Sequence, residues 1–101
     1  MAATPPRDPG RSVTYEEGVK EELRPYLNEY EYLGEFILAI EWLVRHNPED
    51  EETEPIGEDY PNMRAIRRRP RPESDLAISE VSLLFEYDQE SVTFWAADVK
   101  E

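Results

Sequence analysis

The apolar residues of this 101-residue chain change period once, and that change limits the fold more than any other feature. Leu33, Phe36, Ile37, Ile40, Leu43 and Val44 follow the 3.6-residue period, the stripe of a helix that buries one side. The spacing predicts a helix from Asn28 to about His46, ended by Asn47-Pro48. Further on, Val81, Leu83, Phe85 and Tyr87 alternate with Ser82, Leu84 and Glu86, the period of a strand. Asp88-Gln89-Glu90 makes a short polar turn, and Val92 to Ala97 returns as a second strand of an antiparallel hairpin. Helices first and strands afterwards give an α+β class, with two N-terminal helices packed on one face of a small antiparallel sheet.

The shorter segments are placed around these two. Ser12-Val13-Thr14 suits a brief first strand. Thr14-Tyr15-Glu16-Glu17 has a capping-box pattern, so a first helix is expected to follow it through Val19 and Leu23. Pro25 is expected to interrupt that helix. Gly34 weakens the second helix and suggests close packing against a neighbour. Met63 to Arg69 reads as a strand, with Met63, Ala65 and Arg67 on one face and Arg64, Ile66 and Arg68 on the other. Residues 1–11 read as a flexible tail, and residues 12–101 as a single domain with an acidic loop at 48–59.

Composition excludes several functions. There is no cysteine, so disulfides, thiolate zinc sites and cysteine nucleophiles are ruled out. Glu49 to Glu54 holds five carboxylates in six residues. It lacks the Gly turn and ligand spacing of a calcium loop, so it reads as a solvated loop and no metal or cofactor is expected. No stretch reaches the length of a membrane span and no leader is evident, so a cytoplasmic protein is expected. His46, the sole histidine, sits where a helix C-terminal dipole contact accounts for it. A net charge of −13 argues against nucleic-acid binding unless basic residues are concentrated locally.

They are concentrated. Arg64, Arg67, Arg68, Arg69 and Arg71 fall within eight residues and make up five of the eleven basic side chains. Together with Arg45-His46-Asn47-Pro48, the segment Tyr60-Pro61-Asn62-Met63-Arg64-Ala65-Ile66-Arg67, the hairpin Ser82 to Asp88 and the closing strand Val92 to Lys100, this region resembles the RelE/ParE superfamily of toxins. The HigB-like, phage-derived host-killing branch is the most similar. The resemblance runs over roughly residues 13–101. It implies the toxin component of a toxin–antitoxin pair: a metal-independent endoribonuclease that cleaves mRNA, free or on the ribosome, and is silenced by a cognate antitoxin.

Cleavage by attack of a ribose 2′-hydroxyl needs a proton acceptor and a cation against the developing charge. Arginine supplies the cation well and is a poor base. On the resemblance, Arg67 and Arg64 take the catalytic positions, while Arg68, Arg69, Arg71 and Lys100 hold the RNA backbone. Ser82 stands where the family commonly has Arg, which removes one cation from that chemistry. Three alternatives stay open at this point. The arginines instead pair with Glu49 to Asp59 inside the molecule; the chain is a non-catalytic relative acting through protein contact, as the gyrase-poisoning branch does; or it is an acidic mimic of nucleic acid, which the Arg cluster disfavours. Oligomeric state is not legible, although Trp42, Trp95 and the tyrosines leave apolar area for a dimer or a partner.

Overall fold

In the computed structural model, which describes residues 10–101, the order of elements is β1 (Ser12–Tyr15), α1 (Glu17–Glu29), α2 (Leu33–His46), β2 (Thr53–Pro55), β3 (Met63–Arg68), β4 (Glu80–Tyr87) and β5 (Ser91–Lys100). The class is α+β, as the change of period requires. The expected flexible tail lies mostly outside the described residues. Arg11, at its end, is held through backbone and guanidinium bonds to the Arg45 and Asp88 carbonyls.

The five strands form one sheet in the order β1-β5-β4-β3-β2. It is mixed rather than wholly antiparallel, because β1 runs parallel to β5 with Val13 opposite Val92 and Tyr15 opposite Phe94. A parallel pair needs a long crossover. Here the crossover is everything between Glu16 and Glu90, so β1 closes one edge of the sheet.

Both helices cover the same sheet face. Val19 and Leu23 of α1, Leu33, Ile37, Ile40 and Val44 of α2, Ile66 of β3, and Val81, Leu83, Phe85, Val92 and Phe94 of the hairpin form one buried cluster. Phe36 and Leu43, also in the expected stripe, are half-buried at its margin.

Three local expectations are corrected. Thr14 is not a helix cap but a β1 residue paired with Thr93, and Glu16 takes the N-cap position with its N–H on the Phe94 carbonyl. Pro25 lies inside α1. It removes only the bond that the Glu21 carbonyl would accept, and Glu21 and Pro25 both lie on the solvent side, where water reaches that carbonyl. The interruption comes instead at Tyr30–Tyr32, so α2 begins at Leu33 rather than Asn28. Gly34 is not tightly packed either, since a Cβ there would meet only Leu27 Cδ2 at 3.9 Å.

The β4–β5 turn uses no left-handed residue. The Asp88 carboxylate shapes it instead, accepting the N–H groups of Glu90 and Ser91 at 2.7 Å each. Those two N–H bonds hold its pKa below the ordinary carboxylate value. A depressed folded-state value contributes stability above the unfolded value of about 4, and that contribution disappears as pH falls through the folded one. Asp88→Ala is therefore expected to be less stable than wild type at pH 7. The gap should shrink between pH 4 and the acid limit, as read by urea unfolding at each pH.

Candidate functional site

The Arg-rich segment lies on β3 and the connection that follows it. Alternation along β3 sends neighbouring side chains to opposite faces. Arg64, Ile66 and Arg68 lie opposite Phe85, Leu83 and Val81, on the face that the helices cover. Met63, Ala65 and Arg67 lie opposite Glu86, Leu84 and Ser82, on the uncovered face. Arg64 and Arg67 are three residues apart, so they stand on opposite faces and do not share a site. Tyr60 to Asn62 forms the turn into the strand rather than part of it.

Four of the six basic side chains assigned to this region have a partner. Arg64 donates from Nε to Thr53 Oγ1 at 2.8 Å and from Nη2 to the Thr53 carbonyl at 3.0 Å. Thr53 is buried, and its hydroxyl is directed to the Pro48 and Asp50 carbonyls at 2.9 and 2.8 Å. Arg64 therefore fastens β2 to β3. Arg68 forks onto Glu52, with Nε 3.1 Å from Oε2 and Nη2 2.9 Å from Oε1. Arg69 Nε lies 3.5 Å and Lys100 Nζ 3.4 Å from the two oxygens of Glu80. Burial works to raise the Glu80 pKa, but the Lys100 ammonium and Arg69 guanidinium outweigh it and leave the carboxyl below its ordinary value. The side chains of Arg67 and Arg71 make no ion pair or hydrogen bond among the described residues.

The acidic segment is accordingly more structured than a solvated loop. Within 48–59 the chain forms β2, antiparallel to β3 with Thr53 opposite Ile66. Asp50 accepts the Glu52 N–H at 2.9 Å and positions Glu52 for Arg68. The reading in which the arginines pair with Glu49 to Asp59 holds for Arg68. Arg69 and Lys100 use Glu80 of β4 instead, and Arg64 uses a hydroxyl and a carbonyl.

Arg67 to Arg71 form part of the wall of a cleft of about 950 Å³, which Tyr32 and Phe36 at the start of α2 and Leu76 also line. Four arginines line it, and so do four carboxylates: Glu35, Glu52, Asp75 and Glu80. The wall that reads as a basic strip in the sequence is formally neutral once folded, so it does not concentrate a polyanion. His46 stands at the other end of α2, about 15 Å along the helix from the cleft. Its Nδ1 lies 2.8 Å from the Trp42 carbonyl and its ring stacks on Trp42 at 4.4 Å. Ser82, half-buried between Arg67 and Asp98 on the uncovered face, brings no cation to that row. Among the described residues no group of His, Asp or Glu is arranged to hold a metal ion, and no helix is long and apolar enough to cross a membrane.

Sequence reasoning missed Thr53, Glu80 and Phe36 as parts of this region. Thr53 carried a signal, since it is the one uncharged residue in a run of carboxylates. Glu80 carried none, because its partners are eleven and twenty residues away. No protein-family model, curated protein or solved structure matches this chain.

Proposed function

We propose that this chain is a RelE/ParE-type toxin component that acts by holding a protein partner rather than by cutting RNA. The observation that carries this reading is the neutralised cleft. Arg68, Arg69 and Lys100 are engaged with carboxylates and Arg64 with Thr53, so of the two cations given the catalytic positions only Arg67 is left for transition-state stabilisation. The uncovered sheet face, with Met63, Ala65, Leu84 and Ala96 behind an exposed Trp95, adds apolar surface of the kind protein partners cover. A cognate antitoxin would dock on the same side.

The endoribonuclease reading keeps one point in its favour, that the side chains of Arg67 and Arg71 in the cleft lining have no partner among the described residues. Pulsed expression of the wild type and of Arg67→Ala in a bacterial host separates the two. Growth arrest with intact messengers is the expected result. Messenger decay that Arg67→Ala abolishes would establish the nuclease instead, and unimpaired growth of the wild type would remove the toxin assignment altogether.

A further inference from the structure

We infer that the groove between α1 and α2 is a contact surface for a second copy of this chain. It lies on the helical layer and shares no lining residue with the Arg-rich cleft, and the inference is independent of the toxin reading. The groove measures about 460 Å³. Its floor is Leu23 and Ile37, and its lips are Leu27 on α1 and Leu38 on α2. Leu27 is 41% and Leu38 62% exposed, and Trp42, one turn beyond Leu38, is 61% exposed. Gly34 contributes no side chain to the groove, and the space above it is open except for Leu27.

Leu38 and Trp42 lie off the stripe that packs on the sheet, so α2 carries a second apolar ridge that the core does not use. A ridge beside an unfilled groove on the same helical layer suits an isologous contact, in which each copy supplies what the other receives.

The charges select this occupant. Lys20 and Arg24, one turn apart, line the α1 side, and Glu41 lines the α2 side, where it accepts a hydrogen bond from the Tyr15 hydroxyl. Neither cation makes an ion pair among the described residues, and Lys20 lies 5.9 Å from the centre of the Tyr15 ring. A uniformly acidic or uniformly basic helix would meet one unfavourable lip. A second copy related by a two-fold axis sets each basic lip against the other's Glu41. This local match also offsets the repulsion between two bodies of net charge −13.

The test is sedimentation equilibrium of the full chain from low to high micromolar concentration. The wild type should rise toward twice the single-chain mass. Leu38→Lys should remain a monomer throughout, and Arg24→Glu should weaken association roughly 10-fold. Gly34→Leu fills the groove without removing any contact and should also remain a monomer, with thermal unfolding followed by circular dichroism as the check that each variant folds. A wild type that stays monomeric across the range overturns the inference. So does a dimer that survives both Leu38→Lys and Gly34→Leu in folded protein, because it must then use another face.

Discussion

Replacing Arg64 by Met is expected to lower the unfolding free energy by about 2 kcal/mol, the scale of hydrogen bonds made by a charged donor. The methionine keeps most of the apolar stem but donates nothing, so the Thr53 hydroxyl and carbonyl lose Arg64 Nε and Nη2. β2 has only three residues and pairs with β3 alone, which leaves Arg64 as its main side-chain attachment. Hydrogen exchange should therefore rise most at Thr53–Pro55 and in the facing half of β3, ahead of the hairpin core. Lysine should fail to rescue, because a single ammonium does not reproduce the two-pronged donation. The same substitution separates the two roles proposed for this residue. A structural Arg64 makes the loss of growth arrest track the loss of folded protein; a catalytic one abolishes activity in protein that is still folded.

A larger loss, about 3–5 kcal/mol, is expected for Phe94→Ala. The ring is fully buried, stacks on Tyr15 at 5.0 Å and meets Phe85 edge-on at 6.0 Å. It thus joins β1, β5 and β4 at the centre of the sheet, and the Phe94 carbonyl also receives the Glu16 N–H that starts α1. Trp95→Ala, the adjacent position, should cost less than about 1 kcal/mol, because Trp95 is 43% exposed and among the described residues its side chain makes one hydrogen bond, from Nε1 to Glu86 at 3.3 Å. Urea unfolding of the two variants side by side measures the contrast. Equal losses would mean that the two residues do not face opposite sides of the sheet.

The same pair of residues shows how far the sequence could be read. Val92 and Phe94 are buried, and so is Val99, yet 94 and 99 differ by an odd number and a regular strand would put them on opposite faces. A bulge resolves this: Leu84 pairs with Ala96 and Phe85 with Phe94, leaving Trp95 as the extra residue. The shift of phase is written in the sequence, in that Asp98 and Lys100 fall on the parity opposite to Thr93 and Trp95. An unbroken apolar run from Phe94 to Ala97 hides the point at which it occurs. The limits of α1 and α2 were obscured differently. A proline on the solvent face costs one hydrogen bond that water replaces, so Pro25 did not end the helix that its sequence signal suggested it would.

For the candidate site, the alternation of β3 placed Arg64 and Arg67 on opposite faces, yet the resemblance gave both of them catalytic positions, and the strand register does not bring the two together. The partners of the arginines were not legible. Arg68 meets Glu52 sixteen positions away and Lys100 meets Glu80 twenty positions away, through strand pairings that no local pattern encodes.

The sequence by itself determined the α+β class, the apolar faces of α2 and the hairpin, and the side of β3 on which each arginine stands. These follow from periods of 3.6 and 2, which are properties of the backbone and act over a few residues. Tertiary structure alone decided that β1 lies parallel to β5, that the acidic run contributes a strand, and that the basic strip is neutralised by carboxylates. Each of these depends on which distant segments the packed core brings within a few ångströms, and charge pairing acts at that range whatever the separation along the chain.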